Sequence, residues 1–280
     1  MKENLGYYYC STETFLNIVK SKVIYLSDPL KMNDANEIIW AFKVMDSKLR
    51  KSMLERASIV DSVTDLINWL KQHGQHNLFI SCFSMEKDLL SQWRAYGDDG
   101  KGLALGFNLK ELDKDNIYFE KVEYVDKINN SIFGRETVFE VAADTFQIAK
   151  AYEDSNDYDN TEIFFDHLFS VLAGYKNKCF AEEKEIRLIY EELPREELVI
   201  EKNNAWSNKE YHFSPVNLEH DFRIVNNNIT EYVKLPYQSS LKEIVIGPKC
   251  TLTEADVKRI VNVVLTGLEI NVYKSEASYR

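Results

Sequence analysis

Two carboxylates and a guanidinium recur at alternate positions in Glu183-Lys184-Glu185-Ile186-Arg187, the polar start of a stretch that continues through Leu188-Ile189-Tyr190. Alternate side chains of an extended strand point to opposite faces. Glu183, Glu185 and Arg187 are therefore expected on one face, and Ile186, Leu188 and Tyr190 on the other, against a core. Such a set can hydrogen-bond a sugar hydroxyl, stabilise a developing cation or pair with a phosphate. The plain alternative is an edge strand whose polar face is laced by one Glu–Arg salt bridge. Three smaller groups also have chemical potential. Asp28, Asp34 and Glu37 can hold a divalent cation, but their spacing matches no EF-hand loop, and helix capping by Asn33 or Asp34 explains the segment better. His73 and His76 flank Gly74, which reads as a helix stop rather than half of a metal site. Arg94 lies between Trp93 and Tyr96, where it can cradle a pyrophosphate under a stacked ring or simply cover a sheet edge. The glycines that follow (Gly97, Gly100, Gly102) form no GxGxxG and sit between a helix and a strand, so they read as a turn and not a phosphate loop.

Most of the elements that must position these residues can be read from periodicity. Tyr7-Tyr8-Tyr9 opens a strand, Phe15, Ile18 and Val19 share a helical face, and 22–26 is a strand that ends in Ser27-Asp28-Pro29. Helices are expected near 38–57 and 60–73, forming a helical insertion at about 38–75. Leu78 to Ser84 is apolar throughout and fits the middle of a sheet. A short helix at 88–97, strands at 103–107 and 117–125, and helices at 136–152 and 162–176 follow. Residues 198–208 read as a loop. Strands are expected near 210–214, 221–225, 231–234 and 241–247, then a helix to about 266 opened by a capping box at Thr251 to Glu254. A last strand spans 268–273. The expected fold is a single α+β domain over residues 1–280, with a central mixed or antiparallel sheet flanked by helices.

Composition narrows the function. The 280 residues carry 34 basic and 45 acidic side chains, a formal charge of −11. That balance argues against a sequence-independent clamp on duplex nucleic acid, which relies on a basic face, but leaves a local pocket for RNA or DNA open. The 4 cysteines (Cys10, Cys82, Cys179, Cys250) show no CxxC pattern and are expected to be reduced thiols in a cytoplasmic protein. No apolar run reaches 18 residues, so no membrane span is expected.

Taken in order, Tyr7-Tyr8-Tyr9, Ser27-Asp28-Pro29, Met32-Asn33-Asp34 with Glu37, Cys82-Phe83-Ser84, Trp93-Arg94-Ala95-Tyr96, Gly102 to Phe107 and Glu183-Lys184-Glu185-Ile186-Arg187-Leu188 form an outline. It resembles that of an uncharacterised bacterial family, a domain of unknown function associated with phage-defence loci. That family in turn resembles, at a distance, the ADP-ribosyltransferase fold. Proteins of that fold place a His, Arg or aromatic residue on a first strand, a Ser or Tyr on a second and a Glu on a later one. Tyr8, Ser27 and Glu185 fall at these places, and the Glu183/Glu185 pair is similar to the ExE of many such transferases. Tyr8 is a departure, because a phenol cannot act on a phosphate as Arg does, and Arg94 is the candidate to supply that charge.

The resemblance implies an enzyme that cleaves NAD and transfers ADP-ribose to a protein, RNA or single-stranded DNA, in phage defence or a toxin system. It implies no metal. Glu185 would face the oxocarbenium-like sugar and Glu183 would activate the acceptor. Tyr8 and Tyr96 would enclose the nicotinamide or its ribose, Ser27 would orient Glu185, and Arg94 or Arg187 would hold phosphate. A non-catalytic nucleotide or phage-product sensor on the same fold is an alternative. A metal-dependent nuclease built on Asp28, Asp34 and Glu37 is a second.

Overall fold

Because LFISCFS is apolar along both parities, that strand must be covered on both faces, and it lies inside the main sheet. The computed structural model describes residues 5–31, 77–125, 173–192, 198–204, 207–213, 215–225, 227–237 and 239–279. The chain separates into two units, one of Met1–Ser27, Phe79–Lys121 and Glu182–Arg280, the other of Asp28–Leu78 and Val122–Ala181.

In chain order the elements begin with β1 (Leu5–Cys10), α1 (Thr12–Ser21), β2 (Val23–Ser27) and β3 (Leu78–Ser84). They continue with α2 (Leu90–Ala95), β4 (Leu103–Asn108), β5 (Ile117–Lys121), β6 (Glu123–Val125), β7 (Tyr175–Asn177) and β8 (Glu185–Glu191). The rest are β9 (Leu198–Asn204), β10 (Ser207–Phe213), β11 (Glu219–Val225), β12 (Asn228–Pro236), β13 (Leu241–Ile246), α3 (Glu254–Val264) and β14 (Asn271–Lys274).

The first unit is built on a 10-stranded sheet in the order β11-β12-β2-β3-β1-β4-β13-β14, with β8 also paired to β3 and β5 paired to β8. It is mixed: β13 and β14 run parallel, whereas β1–β4, β4–β13, β2–β12 and β11–β12 are antiparallel. One face carries the main core. Ile24 and Leu26 of β2, Phe79 and Phe83 of β3, Ile186, Leu188 and Tyr190 of β8 and Val233 of β12 pack there with Phe15 and Val19 of α1 and Val257 and Val261 of α3. The opposite face of β1 and β4 holds a smaller cluster of Tyr7, Tyr9, Ala104 and Val245 around fully buried Trp93. Ser11 caps α1, and Lys22 closes it at φ 59°. The second unit contains the parallel pair β6–β7, with Tyr124 opposite Lys176. Lys176 is buried there with its ammonium over the Phe180 ring.

The α+β class with a mixed central sheet holds, with few helices among the described residues. Local details differ from expectation. Residues 198–208 are not a loop: β9 and β10 form an antiparallel hairpin there, with Asn204 opposite Ser207. The strand at 117–125 is two strands broken at Val122, and Tyr175 and Lys176 are strand rather than helix. The capping box belongs to Thr253, whose hydroxyl accepts from Asp256 N–H while the Asp256 carboxylate accepts from Thr253 N–H. The expected helices at 38–57, 60–73 and 136–152, most of 162–176, and the helical insertion lie outside the described residues. No helix among the described residues is long and apolar enough to cross a membrane.

Candidate functional site

The Glu185–Arg187 pair sits on the first turn of β8, on the strand face turned away from the main core that Ile186 and Leu188 join. Both side chains are buried, and Arg187 Nε donates to Glu185 Oε1 at 2.6 Å. Glu183 precedes the strand. It ends a 3-10 turn (Lys178–Glu183), and Lys184 then adopts φ 47°, which breaks the alternation before β8 begins. The end of β3 fixes this turn: Ser84 Oγ donates to Glu183 O at 2.9 Å, and Met85 N–H donates to Lys184 O at 2.8 Å. Glu183 itself is half-buried. A charge-assisted bond of this length holds the Glu185 carboxylate in one place, which is what electrostatic stabilisation of a cation requires.

Ser27 ends β2, also on the face away from the main core, since Ile24 and Leu26 fill that core. Its register neighbours are Tyr232 on β12 and Ile80 on β3. Buried Ser27 Oγ accepts from Arg223 Nη2 at 2.7 Å, and accepting leaves the hydroxyl proton available as a donor. The Arg223 guanidinium lies 5.5 Å from the Tyr232 ring centre and 6.0 Å from that of Tyr25, and these two rings are 4.3 Å apart. Tyr232 Oη donates to Asp221, which Lys234 Nζ also meets at 2.7 Å. The Lys234 contact, with the Phe222 N–H and Tyr232, holds the Asp221 carboxyl down at about 2. Burial, followed by that bond, pushes the Tyr232 phenol up to about 12.

Tyr8 lies on the core side of β1, where its ring meets Phe83 edge-on at 5.7 Å. Burial pushes its phenol up to about 12, the Cys10 thiol adds to the rise, and the Arg223 guanidinium pulls against it. Tyr8 therefore feels the same cation that binds Ser27, although no hydrogen bond joins Tyr8 to Ser27 or Glu185 among the described residues. Arg94 is exposed on α2 and stacks over Tyr279 at 5.0 Å. Tyr96, also exposed, follows at the end of α2. Arg223 was not among the sequence candidates. Its signal is the hairpin itself, two alternating strands around Asn226-Asn227-Asn228, but nothing local says that β12 pairs with β2. Asp28 pairs with Lys31 at 3.5 Å. Asp34, Glu37, His73 and His76 lie outside the described residues, among which no cluster of three or more His, Cys, Asp or Glu can hold a metal ion.

This geometry can be set beside known proteins. Residues 92–188 match the family described as "Protein of unknown function (DUF2971)". The match runs from α2 through β4 and β5 to Leu188 of β8, so it includes Arg94, Glu183, Glu185 and Arg187 and stops short of Tyr8, Ser27 and Arg223. The outline of short motifs thus points to an uncharacterised family, and so does this match. No curated protein and no solved structure matches the chain.

Proposed function

We propose that the chain is an ADP-ribosyltransferase-like enzyme that cleaves NAD and passes ADP-ribose to a protein or nucleic-acid acceptor. One observation carries the reading: Tyr8, Ser27 and Glu185 stand on β1, β2 and β8, and all three strands pair with β3. Ser27 and Glu185 share the face away from the main core and Tyr8 approaches from the core side of β1, so the sheet itself brings these strands together without any loop having to fold over them. In the reaction, the bond between ribose C1′ and the nicotinamide nitrogen breaks and nicotinamide leaves with the electron pair. The sugar carries the positive charge until an acceptor oxygen or nitrogen forms the new bond and gives up its proton. The Glu185 carboxylate, fixed by Arg187, stabilises that charge. Glu183, half-buried at the turn before β8, takes the acceptor proton. Ser27 donates to a ribose or carboxylate oxygen. Arg94 and Tyr96 take no part in this reading. The setting in phage defence or a toxin system rests on the family resemblance alone.

The test is incubation of the purified chain with adenylate-labelled NAD, alone and with cell protein, RNA or single-stranded DNA, with and without EDTA. Nicotinamide release or label transfer that ignores EDTA supports the enzyme. Binding of NAD without turnover in any mixture replaces it with a sensor on the same fold. Activity that EDTA abolishes replaces it with metal-dependent chemistry.

A further inference from the structure

We infer that Arg223 is the phosphate-binding residue of this site, and that Ser27 and the Tyr25–Tyr232 pair preset its guanidinium for a pyrophosphate. Arginine carries five N–H donors in a rigid fork, matched to two oxygens of a phosphate. Arg223 spends one of them on Ser27 Oγ, at 2.7 Å. Its other donors meet no protein acceptor, and no carboxylate forms an ion pair with it, among the described residues. The nearest acid on its own strand face, Asp221, is taken by Lys234 and Tyr232 instead. In a chain with 45 acidic residues against 34 basic ones, a guanidinium left without a counter-ion beside a buried serine is a place for an external anion.

Exposed arginines ordinarily sample many rotamers, and ordering one on binding costs affinity. Arg223 is exposed but restrained, pinned at one nitrogen by a buried hydroxyl and flanked by two aromatic rings. The same charge reaches the Tyr8 phenol. It therefore lies by two of the three strand positions assigned to the NAD-cleaving reading. The identity of the ligand rests on that reading. The anion chemistry does not.

The test is calorimetric titration of the full chain with ADP-ribose and, separately, inorganic pyrophosphate, for wild type, Arg223→Met, Arg223→Lys and Arg94→Met. Wild type binds both. Arg223→Met weakens ADP-ribose by about 10- to 100-fold, the value of a charge-assisted bond. Arg223→Lys recovers only part, because it restores the charge without the fork. Arg94→Met binds as wild type. Arg223→Met should still melt cooperatively, with only the modest loss expected from one hydrogen bond to Ser27, which separates lost binding from lost fold. Wild-type affinity in Arg223→Met, or no binding of either probe by wild type, overturns the inference. Arg223-dependent binding of ADP-ribose with no NAD turnover keeps the phosphate site and removes the transferase. NAD turnover with an unchanged KM in Arg223→Met keeps the transferase and removes the phosphate site.

Discussion

Arg94 and Arg223 are both exposed, and both lie over tyrosine rings, yet only Arg223 is also held by a buried hydroxyl. Arg94 stacks on Tyr279, whose hydroxyl donates to Asp99 and whose ring also lies 3.9 Å beneath Lys249 Nζ. The same C-terminal segment is tied down by Asp88, which accepts from Trp93 Nε1, Ser275 Oγ and Glu276 N–H at 2.6–2.7 Å. The Tyr279 ring is there shared by Arg94 and Lys249, and the Arg94 guanidinium donates no side-chain hydrogen bond and forms no ion pair among the described residues. Arg223 is fastened at one nitrogen only, and its charge remains uncompensated by the described protein groups. An arginine beside aromatics is thus weak information by itself. What sets Arg223 apart is the hydrogen bond to buried Ser27 that fixes its guanidinium beside a polar group of the sheet.

The contrast can be sharpened by substitution. Glu185→Gln is expected to have the largest effect. It should lower NAD cleavage by about 100- to 1000-fold and destabilise the fold by roughly 3–5 kcal/mol, because it removes the carboxylate that Arg187 Nε meets in a buried ion pair. Replacing both partners, Glu185→Leu with Arg187→Met, should restore most of the melting temperature and none of the turnover, which separates chemistry from folding. On the Arg94 side, Trp93→Ala should cost about 3–5 kcal/mol in denaturant unfolding. Wild-type affinity for ADP-ribose at permissive temperature is expected to remain. Gly102→Ala should cost roughly 2–3 kcal/mol, since a Cβ there would lie 1.9 Å from Cys10 O, a backbone atom that cannot step aside. The smallest effect concerns pH. The Asp221 carboxyl is held from 3.8 down to about 2, so its contribution is present above its ordinary value and fades as pH falls toward 2. Thermal melts of wild type and Asp221→Asn should converge over that acid range and differ slightly at neutral pH.

How much of this was legible depended on whether the deciding contact was local. The inward set Ile186, Leu188 and Tyr190, the α1 face of Phe15, Ile18 and Val19, and the central place of β3 all follow from period and parity, and the core contains them. The same reasoning does not reach Glu183, because parity presumes an extended chain. A lysine at φ 47° gives no signal of the glycine kind that a left-handed position usually sends. β9 and β10 were missed because EKNN and SNKE look like solvated loop. Arg223 lay beyond reach for a different reason. Its strand was visible, but its partner Ser27 is 196 residues away, and the pairing of β12 with β2 is a fact of topology that no local pattern carries.

The measurement that most directly tests the account is nicotinamide release from NAD by wild type and by the Glu185→Leu/Arg187→Met double variant, both first shown to melt cooperatively. Wild type should release nicotinamide whether or not EDTA is present, and the folded double variant should release none above background. Equal release from both, or none from wild type with protein, RNA and single-stranded DNA all supplied, would contradict the proposed cleavage.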